Sequence, residues 1–284
     1  MVWKGQRVQD GDWLRAEPSE PVDLQIDRPH AARVYDVLLG GKTNYKADRE
    51  AAQQVLENLP IARTTARENR AFMHRAVRHL AEAGVRQFLD IGTGIPTPPN
   101  LHDVAQEIAP ESRVVYTDND PIVLVHSRAL HTSHPSGRTA YIDGDLCEPD
   151  RIIEHPRLLA TLDLTRPVAL TLLTVLHWLR ADADPYAIVS RLLDALPSGS
   201  HLVISHVTAD LDPPALGSVT SDLGKRGSNV TPRSKEQVAA FFDGLELLEP
   251  GLTLIEQWRP TVPVEPPATA DQVVPLYVGL ARKP

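Results

Sequence analysis

Apolar positions along this chain switch between two periods. Phe72, Met73, Ala76, Val77 and Leu80 recur at helical spacing, which predicts a helix over 63–83 that stops at Gly84. A short apolar run follows at 87–91. A second helical stripe, Leu101, Val104, Ala105 and Ile108, ends at Pro110. The alternation then repeats, with a strand over 113–117 and a helix from about 120 to 130 opened by Asp120-Pro121 as cap and first-turn proline. Next come a strand over 140–142, a helix over about 150–162 and a fully apolar strand over 168–173. Asp184-Pro185 caps a further helix, with Ile188, Val189, Leu192, Leu193 and Leu196 on its inner face. A strand over 201–206, a helix over 234–243 and strands over 252–258 and 276–281 complete the series. Two short helices, 31–39 and 46–59, precede it and are separated by Gly40-Gly41.

Strands that alternate with helices imply a parallel sheet covered on both faces. The pattern predicts an α/β fold with seven strands, mostly parallel. The last two have little helix between them and fit an antiparallel edge. Three parts follow: an arm over 1–28, a helical cap or lid over 29–84 and a core over 85–284. The proline-rich span 259–275 reads as an extended connection. The stretch 213–228, with Gly217, Gly224 and Gly227, reads as a mobile flap or a plain surface loop.

Composition narrows this picture. In 284 residues, 42% apolar, there is material for one large domain. A net charge of −8 argues against general affinity for nucleic acid or anionic membrane. The single Cys147 excludes an intrachain disulfide and is expected to be a packing residue; no metal site has zinc-ligand spacing. There is no apolar run of about 18 residues, and the polar first seven residues carry no signal-peptide core. A cytoplasmic protein is expected, acting on a small molecule, without membrane or nucleic-acid partners; oligomeric state is not legible.

The chemistry centres on Phe88-Leu89-Asp90-Ile91-Gly92-Thr93-Gly94-Ile95-Pro96-Thr97. A buried strand ends in a carboxylate, turns over two glycines and feeds a helix. A turn without Cβ atoms lets backbone approach a ligand closely. A dinucleotide would want a third glycine and phosphate-binding N–H groups. Thr97 stands in that place, and Pro96, Pro98 and Pro99 remove donors. S-adenosyl-L-methionine carries no phosphate and needs acids instead. Asp90, Asp118 and Asp145 follow successive strands, where ligands of doubly wound sheets bind. Asp143 is an alternative to Asp145, and Asp120 reads as a cap.

With these residues the chain resembles the actinobacterial S-adenosyl methyltransferase family once labelled a domain of unknown function, over roughly 27–284. The resemblance rests on Arg33-Val34-Tyr35-Asp36-Val37-Leu38-Leu39-Gly40-Gly41-Lys42, on Glu68-Asn69-Arg70, on the 87–97 turn and on Val115-Tyr116-Thr117-Asp118-Asn119-Asp120-Pro121. It implies a Rossmann-like class I methyltransferase fold. It also implies donor binding along 90–94 (Asp90, Gly92, Thr93, Gly94), at Asp118 with Asn119 and at Asp145 with Leu146. S-adenosyl-L-homocysteine would be the product, and no acceptor or catalytic residue carries over. From the residues themselves, Tyr35 and Tyr45 flank a glycine pair that is either a lid hinge or a helix stop, with π faces suited to a sulfonium. Arg70 is a candidate for the methionine carboxylate, and Thr174 for the donor pocket. Arg33 and Arg70 have an alternative in exposed pairs with Asp36 or Glu68. His177 and His206, at strand ends, are candidate bases with the alternative of buried structural histidines. An oxidoreductase using NAD(P), or a donor-binding protein without methyl transfer, remain the other readings.

Overall fold

The computed structural model describes residues 24–130, 133–179, 181–211, 217–218, 220–221, 224, 230–261 and 273–284. The arm over 1–23, and most of 213–228 and 259–275, lie outside them. Three helices come first: α1 (Ala31–Leu39), α2 (Lys46–Asn58) and α3 (Ala62–Glu82). Then follow β1 (Gln87–Ile91), α4 (Leu101–Ile108), β2 (Arg113–Asp118), α5 (Pro121–Leu130) and β3 (Arg138–Asp143). After these come α6 (Pro149–Ile153), α7 (Pro156–Thr161), β4 (Ala169–Leu173), α8 (Pro185–Asp194) and β5 (His201–Val207). The chain closes with α9 (Lys235–Ala239), β6 (Glu246–Leu247), β7 (Thr253–Leu254) and β8 (Leu276–Arg282).

The strands lie in the order β3-β2-β1-β4-β5-β8-β6, with β7 also paired to β8. The first five are parallel, and β8 is antiparallel to β5, β6 and β7. The sheet therefore has eight strands, not the seven expected. The addition is the two-residue β6, too short to leave a periodic signal. Successive side chains on β1 point to opposite faces. Phe88 joins the core beneath α3 and α4, with Phe72, Leu80 and Leu101; Leu89 and Ile91 join the core on the α8 side, with Leu192 and Val189. Strand order reverses between β1 and β4, and the crevice outside the carboxyl ends of these strands is where such sheets hold ligands.

Two predicted elements break for identifiable reasons. The helix expected over 150–162 is split into α6 and α7. Pro156 has no N–H to continue the first helix, and the His155 ring accepts from Arg157 N to open the second. The strand expected over 252–258 keeps only Thr253–Leu254. Arg75 of α3 donates to the carbonyls of Ile255 and Trp258 at 3.0 Å each, and buried Trp258 packs edge-on against Phe72. That anchoring folds the chain back onto α3 instead of along the sheet.

Candidate active site

The β1 turn is built by the strand beside it. Gly92 N and Thr93 N both donate to Thr117 O, at 2.8 and 3.2 Å, which pins the turn to β2. Gly92 and Gly94 have φ of +74° and +71°, a region that favours glycine. The two differ in what surrounds them. A Cβ on Gly92 would lie 2.5 Å from Val175 Cγ2, whereas one on Gly94 would enter open space. Asp90 is buried and accepts from Thr171 Oγ1 at 2.5 Å and Thr93 Oγ1 at 3.1 Å. Burial raises the proton affinity of its carboxyl, and these hydroxyls pull it back.

Asp118, at the tip of β2, accepts from Gly94 N at 2.8 Å on one oxygen and from Asp120 N at 3.0 Å on the other. Burial raises its pKa, with those two N–H groups opposing. Each carboxylate oxygen keeps a second lone pair for a ligand. Beyond β3, Asp145 accepts from Asn119 Nδ2 at 3.3 Å and from Cys147 N at 2.8 Å. Asp143 is exposed and Leu146 is buried beside Asp145. Cys147 is exposed, not a packing residue; it sits in the turn after β3 with its N–H held by Asp145.

A cavity of about 560 Å³ lies between these tips and helices α1 to α3. Its size falls within the roughly 300–1,000 Å³ usual for small-molecule sites. The wall at the sheet includes Asp90, Gly92, Thr93, Gly94, Asp118, Asn119, Asp145 and Leu146, and Thr174, Tyr35 and Arg70 complete the expected set. Asp143 does not line it. Arg70 donates to the carbonyls of Thr97 at 2.5 Å and Pro99 at 2.6 Å, so it clamps the loop before α4 and pairs with neither Asp36 nor Glu68. Arg33 also departs from the expected exposed pair. It is buried, with Nε 3.1 Å from Asp120 and Nη1 3.8 Å from Asp48. Asp36 instead accepts from Asn44 Nδ2 at 2.8 Å.

Sequence reasoning missed what fastens the helices to the sheet. Asn69, buried on α3, donates to Tyr35 OH at 2.9 Å and Thr174 Oγ1 at 3.2 Å, and accepts from Ser205 Oγ at 2.6 Å. Ser205 in turn accepts from Thr174 N at 2.9 Å, holding Thr174 at φ +51°, a strained value for a β-branched residue. A second fastening is the fully buried Asp120. It caps α5 through Ile122 N and also holds His30 at 3.1 Å beside Arg33. Asn69 stood within the Glu68-Asn69-Arg70 motif, but nothing in its spacing pointed to Ser205.

The two histidines separate. His177 lines the cavity; burial, with the positive environment of His206 and Arg233, drives its pKa well below the ordinary value, so it is neutral. His206 does not line the cavity. Its Nδ1 donates to Val207 O and its Nε2 accepts from Arg233 at 2.8 Å, and burial chiefly pushes its pKa down to about 3. Both ring nitrogens of His206 are thus committed to partners within the protein.

Asp90, Asp118 and Asp145 line one cavity at the switch point of a mostly parallel sheet, the place where folds of this class hold ligands. The chain belongs to the S-adenosyl methyltransferase family, whose model matches residues 17–284. It is 46% identical to a DUF574 family protein of Streptomyces avermitilis, covering 92% of this chain and 100% of that one, with a TM-score of 0.89. It is 38% identical to a "putative methyltransferase" of Thermobifida fusca, covering 92% and 97%, with a TM-score of 0.85. No curated protein matches the chain. The protein is thus an enzyme that transfers methyl from S-adenosyl-L-methionine, and the NAD(P) and non-transferring readings are set aside. No helix among the described residues is long and apolar enough to cross a membrane.

Proposed function

We propose that the sheet-tip half of the cavity holds the methyl donor and the remainder holds a small-molecule acceptor. One observation carries this: Asp90, Asp118 and Asp145, from three different strand ends, line a single cavity. Asp118, with lone pairs to spare, suits the ribose diol, and Asp145 with Leu146 suits adenine. The Asp90 carboxyl and the 92–94 turn face the methionine portion, where a Cβ on Gly94 would occupy the space a ligand needs. Arg70 uses one nitrogen on the two loop carbonyls and keeps further N–H groups for a carboxylate. The residues present therefore fit an adenosyl sulfonium.

When bound, the donor supplies a methyl on a positively charged sulfur; the acceptor's lone pair forms the new bond as the carbon–sulfur pair returns to sulfur. The protein's part is to align the two and exclude water. Helices α1 to α3 act as the cap, which Asn69 fastens to the tips of β4 and β5. His177, neutral and in the wall, offers a ring nitrogen as hydrogen-bond acceptor to the substrate; its burial disfavours the protonated form, so it serves to orient the acceptor group and not to carry its proton. A cytoplasmic location without a nucleic-acid partner belongs to the same reading, supported by the charge of −8. Calorimetry with S-adenosyl-L-homocysteine and NAD tests the site. We expect stoichiometric homocysteine-adduct binding, weakened in a folded Asp118→Ala variant; binding of NAD alone would overturn the assignment.

A further inference from the structure

Among the described residues, the charged groups of the cavity wall are confined to one end. Asp90, Asp118, Asp145 and Arg70 are the Asp, Glu, Lys or Arg side chains of that lining, and His30, also in it, is held 3.1 Å from Asp120 beside the tip of β2. All four belong to the donor half proposed above. The wall formed by α1, the end of α2 and the start of α3 is instead mainly apolar: Val34, Leu38, Val55, Leu59, Ala62 and Ala66, while the hydroxyls of Tyr35 and Thr65 there donate to the backbone carbonyls of Ala66 and Ile61. The opposite wall adds Val175, Trp178 and Leu179, with His177 held neutral by its burial.

We infer that the acceptor is a neutral, largely apolar small molecule, seated against α1 to α3 and presenting one oxygen or nitrogen toward Thr174. This rests on the donor assignment above. An ionised group against that wall would lose its hydration without gaining a partner, which is strongly unfavourable in a protein interior. A neutral ring or alkyl body loses nothing there and gains by leaving water. At the border of the two halves, Thr174 Oγ1 accepts from Asn69 and keeps its own proton to give. An acceptor heteroatom at that border meets a hydrogen-bond donor beside the donor half and leaves its carbon body on the helices. Transfer leaves an O- or N-methyl product and the neutral thioether of the spent donor; a proton carried by the nucleophile is lost to water.

The test uses the full chain saturated with S-adenosyl-L-homocysteine and two fluorescent probes, 2-naphthol and its 6-sulfonate. The neutral probe is expected to bind at least about tenfold more tightly than the charged one. Val55 is half-buried on the α2 wall, and Val55→Lys places a cation in the acceptor half. That variant should narrow or reverse the preference while homocysteine-adduct affinity stays unchanged. Equal or tighter binding of the sulfonate by the native protein, or no binding of either probe to the loaded protein, would overturn the inference. Failure to bind the homocysteine adduct would instead overturn the donor assignment, and this inference with it.

Discussion

The two halves of the cavity are made by different means. The sheet-tip half is a set of short-range devices. A strand end, a glycine turn and an acid recur within a few residues, and neighbouring strands tie each to the next through backbone N–H groups. The cap half has an apolar wall and owes its position to two remote fastenings, Asn69 on Ser205 and Thr174, and Asp120 on His30 and Arg33. The difference separates precision from accommodation. A donor with fixed hydrogen-bonding groups needs fixed partners, while an apolar wall can receive varied bodies as long as it is held over the donor.

The largest effect should come from closing the donor half. Gly94→Val puts a branched side chain at φ +71° into open cavity space. Strain there costs about 1–3 kcal/mol of stability, but calorimetry should find binding of S-adenosyl-L-homocysteine abolished. Retained affinity in a folded variant would put the donor elsewhere. Asp118→Ala comes next. It removes charge-assisted hydrogen bonds and should weaken that binding by about 1–3 kcal/mol, or about 5- to 150-fold. Undiminished affinity would show that the ribose is held by other groups.

The same contrast explains what could be read from the sequence. Strands β1 to β5 and β8, the glycine turn and the three acids were legible because each is encoded within about ten residues by period and cap chemistry. The split at Pro156 was available in principle, since a proline inside a helical stretch is a break signal. The fastenings were not. Asn69 and Ser205 stand 136 positions apart, and an asparagine on an amphipathic helix looks the same whether it faces water or a buried hydroxyl. Arg33 and Asp36 invited pairing by helical proximity, but Arg33 turns inward to Asp120 and Asp48. Tertiary geometry chose a partner that local spacing could not name. His177 and His206 were indistinguishable as strand-end histidines until Arg233 was seen to occupy one of them.

Asn69→Ala tests whether the halves are separable. It leaves Ser205 Oγ, Tyr35 OH and Thr174 Oγ1 short of a partner, so thermal unfolding should show a loss of about 1–3 kcal/mol. Homocysteine-adduct affinity should fall less than in Asp118→Ala, and acceptor KM should rise more than kcat falls. An equal loss of donor affinity would merge the two halves into one unit.

The smallest effect is a pH dependence that belongs to the cap alone. Burial lowers the His30 pKa, but the Asp120 hydrogen bond and the charges of Asp120 and Asp118 more than reverse this, and Arg33 opposes them; the net shift is upward. A raised folded-state pKa binds the proton more tightly in the folded protein than in the unfolded chain. Its stabilisation is complete below the unfolded value of about 6.5 and is lost as pH rises through the folded one. His177 and His206, whose pKa values are lowered, give a rise in stability over the same window; against it the His30 contribution to melting temperature should decline from pH 6 upward, and His30→Gln should remove that component. Asp120→Asn should remove it too, at a larger fixed cost, because it also leaves the buried Arg33 without its nearer carboxylate. Melting-temperature profiles of both variants that run parallel to the native one across this window would assign the titration to another group and leave the cap's second fastening independent of pH.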